Sequence, residues 1–241
     1  MVSACLFTAL LQLPSSPLRQ AIPDAFFRRA ITGIAMGLTA IALIYSPWGQ
    51  RSGAHLNPSV TLTFCRLGKM RWRDAVLYIV GQFIGGVSGV LLAGLILRGS
   101  LARPEVRFAA TLPGEAGPWV ALGAEFFISF LMMSIVLRVS NHASLSRYTG
   151  LIAGLLVAIY ITFEAPYSGM SMNPARSFAS AVPSSLWSYF WIYLVAPPLG
   201  MLAAAELYLG MKPNAPVKCC KLYHNPLKRC TFCGQNGDIY E

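Results

Sequence analysis

The sequence predicts an all-α membrane protein: a six-transmembrane-helix bundle with two re-entrant half-helices, built as an inverted internal repeat whose first helix is truncated. Three observations carry that expectation. Charged residues make up only 12% of the chain, against 55% for the aliphatic, aromatic and cysteine set, whereas an average soluble domain is about 25% charged. Apolar runs of membrane-crossing length recur along the 241 residues. One short, unusually apolar loop occurs twice, nearly half the chain apart. Disorder is excluded, because its precondition is low hydrophobicity.

The elements follow in chain order. Val2–Leu13 is apolar but shorter than the ~17 residues a crossing helix needs, and it lacks the charged leader of a secretory signal. It reads as the rear half of a first span whose front half is missing from the chain. Full spans are expected at Phe26–Tyr45, Asp74–Leu97, Trp119–Val139, Tyr148–Phe163 and Leu186–Leu209, each nearly free of charge inside. Trp72, Trp119, Trp187 and Tyr148 stand near their ends, as headgroup-level aromatics do. Gly81, Gly85 and Gly89, and then Gly150 and Gly154, recur at helical spacing and read as stripes for close helix packing. Six crossings put both termini on one side. The segments after the second, fourth and sixth spans hold more Lys and Arg than the others, which places that side in the cytoplasm. The net charge of +10 is therefore read as membrane topology. Nucleic acid is not expected as a partner, since the basic residues lie between apolar runs and form no stripe.

The repeated loop is the informative feature. Ser52-Gly53-Ala54-His55-Leu56-Asn57-Pro58-Ser59 returns as Ser168-Gly169-Met170-Ser171-Met172-Asn173-Pro174-Ala175. Each half holds three spans, an odd number, so the second half enters the membrane from the opposite face. Asn is a strong N-cap and Pro is favoured at the first helical position, so each copy reads as the start of a short helix, over Val60–Leu67 and Arg176–Val182. Two such helices would meet near the midplane with their positive N-terminal ends adjacent. Irregular backbone at that depth is tolerated only inside protein or along a watery cavity, so the repeat implies a cavity.

At these residues the chain resembles the aquaporin (major intrinsic protein) family, over essentially Leu18–Gly210. The family signature is a pair of Asn-Pro-Ala boxes, the second followed by Arg. Here the first is Asn57-Pro58-Ser59 and the second Asn173-Pro174-Ala175-Arg176. The resemblance implies a channel domain over residues 1–210, in halves of about 1–100 and 118–210, with one pore per subunit of a homotetramer in the cell membrane. It implies that Asn57 and Asn173 donate to solute oxygen and that Arg176 stands in the narrowest ring. The rest of that ring would be Ile161, Met170 and a first-half residue. That residue is Met36 if the loop around Pro47-Trp48 carries one extra residue, Gly37 if it does not; Met36 is preferred because Gly37-Leu38-Thr39 then aligns with a similar family triplet. His55, Pro58 and Pro174 support the boxes. The resemblance also implies that Glu125 in the fourth span bonds backbone of the re-entrant loop, a charge at that depth being a functional or structural feature by default.

Water channels of the family usually carry His where Ile161 stands and an aromatic at the first-half position. The Met/Ile/Met ring here is more apolar, which admits small neutral solutes such as glycerol, hydrogen peroxide or ammonia. Ser177 after the ring arginine and Phe190-Trp191 in the last span lean back toward water, since glycerol-conducting members carry Asp and Pro-aliphatic there. The expected function is a passive water channel that excludes protons and ions; the alternatives are a neutral-solute channel and a non-conducting membrane scaffold. No constellation suited to catalysis is present in the spans, and the channel needs no cofactor. Residues 211–241 form a separate tail rich in Cys and Lys. There Cys219, His224, Cys230 and Cys233 are a candidate zinc set by ligand type, though not by a standard finger spacing. The other readings of this tail are a basic segment lying on anionic lipid, or cysteines carrying reversible acylation.

Overall fold

The computed structural model describes residues 1–211, 217–224 and 230–234. Among them stand eleven α-helices and no strand: α1 (Val2–Gln12), α2 (Pro17–Ala21), α3 (Ala25–Tyr45), α4 (Pro47–Ser52), α5 (Pro58–Arg66), α6 (Trp72–Leu97), α7 (Pro118–Ser140), α8 (Thr149–Phe163), α9 (Ala165–Ser168), α10 (Pro174–Ser184) and α11 (Phe190–Met211). Five are long and apolar enough to cross a membrane: α3, α6, α7, α8 with the turn before it, and α11. Their outer faces present Leu77, Leu95, Phe127, Leu155 and Leu199, all more than half exposed, the apolar belt that lipid would cover. Asp24 caps α3 by accepting from Phe26 and Phe27 N–H, which fixes where that span begins. The last span begins at Phe190 instead of Leu186, because α10 runs on through Pro183 to a left-handed Ser185 at φ 58°.

The expected half-helices are α5 and α10; each starts at its proline, two residues earlier than expected, and α10 also runs two residues further, to Ser184. They pack across the repeat: α10 lies on α6 and α5 lies on α11, and the two touch each other. Each half thus supplies the wall against which the other half's short helix rests.

Small residues set the closest crossings. A Cβ on Gly37 would lie 2.5 Å from the Gly154 carbonyl oxygen, and one on Gly33 would lie 2.5 Å from that of Ala158. The α3–α8 contact is therefore nearly backbone on backbone. Gly150 and Gly154 pack as expected, but the Gly81/Gly85 stripe does not: nothing stands within 4 Å of a Cβ at either position. The glycines of α6 that meet a neighbour are Gly86, whose Cβ would sit 3.0 Å from Ala179 Cβ of α10, and the expected Gly89, whose Cβ would sit 3.1 Å from Met1 Cβ. A four-residue repeat identifies a small face; it does not say whether that face turns inward.

Candidate functional site

Asn57 and Asn173 adopt nearly the same extended backbone, φ −146° and −145°, the conformation a cap requires. Asn57 Oδ1 accepts from Ser59 N–H at 2.8 Å. Asn173 Oδ1 accepts from Ala175 N–H at 3.0 Å and Arg176 N–H at 3.2 Å. The amide nitrogens then cross the repeat. Asn57 Nδ2 donates to the Met172 carbonyl at 2.6 Å and Asn173 Nδ2 donates to the Leu56 carbonyl at 2.8 Å. A primary amide has two N–H groups, so one remains on each side chain for a second acceptor. The reciprocal pair holds the N-terminal ends of α5 and α10 face to face. Each end carries roughly half a positive charge.

The two loops reach this arrangement through left-handed backbone. Gly53 and Ala54 take φ of 85° and 60°; Gly169, Met170 and Met172 take 76°, 47° and 52°. For Ala and Met this region costs of order 1 kcal/mol or more per residue. In the second loop the compensation is Glu125, fully buried on α7. Its Oε1 accepts from Ser171 N–H at 2.6 Å and from Ser168 Oγ at 2.8 Å, and its Oε2 accepts from Met172 N–H at 2.7 Å. Tyr193 Oη donates to the Ser168 carbonyl at 2.6 Å. In the first loop Gln82 Nε2 donates to the His55 carbonyl and to Thr61 Oγ1. Sequence reasoning missed Gln82, although a lone amide inside an apolar span is a detectable signal.

Of the proposed ring, Arg176 is half-buried and its Nη1 is a buried donor with no hydrogen-bond partner. Met170 is buried and shares an apolar cluster with Ile161. Met36 is half-buried on α3, while its neighbour Gly37 is committed to the contact with α8. Pro58 and Pro174 are buried first residues of their helices.

His55 lies in an unforeseen environment. It is 4% exposed, stacks on Phe64 with ring centroids 5.1 Å apart, and bonds through Nε2 to the carbonyl of Cys220 at 2.6 Å. The tail thus docks on the first loop. Leu222 N–H donates to the Gly53 carbonyl at 3.2 Å, and Lys221 Nζ donates to the Gln50 carbonyl at 2.6 Å. The same fold of the tail collects Cys219, His224, Cys230 and Cys233, whose ligating atoms all lie within 4.8 Å of one another. Among the described residues no two cysteines form a disulfide. A hydrogen bond with the Cys220 thiol and burial push the Cys219 thiol well above its ordinary range.

Known proteins share both the sequence and the architecture. The chain is 36% identical over 176 residues to a putative aquaporin NIP4-1 of Arabidopsis thaliana, an alignment covering 73% of this chain and 60% of that protein. It is 35% identical over 176 residues to aquaporin NIP1-2 of Oryza sativa subsp. japonica, covering 71% and 57%. The chain therefore spans about 60% of the length of such curated relatives. The structure superposes on the X-ray structure of the aquaglyceroporin from Plasmodium falciparum with a TM-score of 0.67 at 17% identity, over 86% of this chain and 89% of that one. The profile of one family, Major intrinsic protein, matches residues 4–208, and with the two opposed caps in place the chain belongs to that family of membrane channels.

Proposed function

We propose that this chain is a passive channel for water, with both termini cytoplasmic, working as a homotetramer in the plasma membrane. One observation carries the reading: the crossed asparagine bonds, which set two positive helix ends side by side and leave an amide N–H on each. A water molecule passing Asn57 and Asn173 accepts from those donors in place of its neighbours in the file. A cation or hydronium meets two half-charges there and the guanidinium of Arg176 beyond, with nothing to replace its hydration. The unpartnered Nη1 of Arg176 is the donor a solute oxygen would take. The relatives' names, aquaporins all, support the same class.

A second reading is favoured by the ring itself. Met36, Ile161 and Met170 offer apolar surface and no fixed acceptor, so a small neutral solute such as glycerol, hydrogen peroxide or ammonia loses little by passing. The placement of Gly37 in the α3–α8 contact supports Met36 as the first-half member.

Stopped-flow light scattering of proteoliposomes tests both. Under an osmotic step, water permeability is expected to rise several-fold over empty vesicles, with proton permeability unchanged. The same vesicles in a glycerol gradient decide between the readings. Water permeability equal to that of empty vesicles would leave a non-conducting scaffold.

A further inference from the structure

We propose that Cys219, His224, Cys230 and Cys233 bind one zinc ion, and that this centre fastens the tail onto the loop that carries His55 and Asn57. The proposal concerns the tail alone and does not depend on what passes the membrane.

The donor set is the first argument. Three thiols and an imidazole are soft-to-borderline ligands, and in a tetrahedral arrangement they select zinc. Bonds of roughly 2.0–2.3 Å to a central ion would set the ligating atoms about 3.3–3.8 Å apart. Here Cys219 Sγ stands 3.6 Å from Cys230 Sγ, and Cys233 Sγ stands 3.5 Å from His224 Nε2. Both match an edge of such a tetrahedron, all four ligating atoms lie within 4.8 Å of one another, and the Cys219–Cys230 separation is too long for a disulfide, whose sulfurs are bonded at about 2.0 Å. Cys219 and Cys230 are 6% and 3% exposed, so the tail has drawn its thiols inward around a shared point. A cleft of about 330 Å³, lined by Gly68, Lys69, Lys218, Cys219, Cys220 and Cys233 among others, opens beside them and supplies a route in.

Charge is the second argument. Binding releases three thiol protons to solvent, and His224 ligates as neutral imidazole, so three thiolates and one Zn²⁺ leave a net charge of −1. Lys69 and Lys218 on the cleft wall put positive charge on the same cleft.

The third is what the cluster holds in place. The described tail has no helix or strand of its own, and a segment this short needs a staple to keep one shape. Yet it makes specific bonds to the first loop: the Cys220 carbonyl to His55, Leu222 N–H to Gly53, Lys221 Nζ to Gln50, and Thr231 Oγ1 to the Arg51 carbonyl at 3.4 Å. Phe232 and Tyr78 add an edge contact at 6.4 Å. Loop 169–173 hangs on the Glu125 carboxylate from within the bundle; loop 53–57 is held by Gln82 on one side and by the tail on the other. Metal binding to the tail is therefore bracing of the first box.

The test uses the full chain, purified in detergent without chelator. Elemental analysis should find about one zinc per chain, lost in Cys230→Ser/Cys233→Ser and in His224→Ala. The chelated wild type, refilled with Co²⁺, should show tetrahedral d–d bands and thiolate-to-metal charge transfer, which keeps the question open to measurement if a variant fails to fold. Trypsin cleavage at Lys218 and Lys221 should accelerate at least about tenfold when the wild type is chelated, and return to its starting rate on adding Zn²⁺. Absence of zinc together with absence of cobalt bands would overturn the site. So would a mass lower by two hydrogens, showing a disulfide in its place, or zinc retained by the serine variant. Zinc present but cleavage indifferent to chelation would overturn the bracing.

Discussion

Glu125 shows how much one side chain organises. It is an acid in a helix that otherwise reads as lipid-compatible, and its burial is tolerable only because three donors converge on it, two of them backbone N–H groups, one belonging to the left-handed Met172. Removing the carboxylate strands all three donors, and an unmet buried donor costs about 1–3 kcal/mol. Glu125→Ala should destabilise the fold by about 3 kcal/mol or more, a fall in Tm on the order of 10 °C by thermal unfolding in detergent. Glu105→Ala, exposed on a loop, should shift Tm by less than about 2 °C. Ile161 tests selectivity instead of stability. Under the proposed ring, replacing it by His adds bulk and a fixed polar partner. In proteoliposomes Ile161→His should cut glycerol permeability about tenfold relative to water, the low end of what a small change in pocket size discriminates; an unchanged ratio would remove Ile161 from the ring.

Helices, by contrast, are positioned by what is missing from their surfaces. Gly37 and Gly154 let α3 and α8 meet backbone to backbone, and an added methyl at Gly37 falls 2.5 Å from a carbonyl oxygen that cannot step aside without moving the helix. Gly37→Ala should therefore cost about 1–3 kcal/mol. Gly81→Ala, which meets open space, should be neutral or stabilising by up to ~1 kcal/mol through helix propensity. Melting curves of the two variants check the contrast directly. The same pair shows what a sequence can and cannot tell. Spacing exposed both glycine stripes but could not orient them, because orientation belongs to the partner helix. The half-helix starts were legible, since Asn and Pro act locally at a cap. The short helices α4 and α9 were not, nor was the docking of Cys220 on His55, a contact between residues 165 positions apart. A tail whose described residues form no helix or strand carries no periodicity to read.

Over the whole molecule, the decisive property is that the two halves complete each other. α5 rests on the last span of the second half and α10 on the last span of the first, and the asparagine amides close the arrangement from both sides. A defect in either box should thus be felt as a defect in both. Asn57→Asp and Asn173→Asp keep the acceptor that caps each helix but remove the donor that crosses to Met172 or Leu56. If the two crossed bonds act as one clasp, breaking either already frees the helix ends, and the double variant should lose little more than the worse single one. Sites in one network couple by about 0.5–3 kcal/mol, whereas independent sites add within about 0.3–0.5 kcal/mol. A double-mutant cycle on thermal stability should give a coupling of about 1 kcal/mol or more in the less-than-additive direction. Strict additivity would mean that the halves merely abut, and that the symmetry of the repeat is geometric without being mechanical.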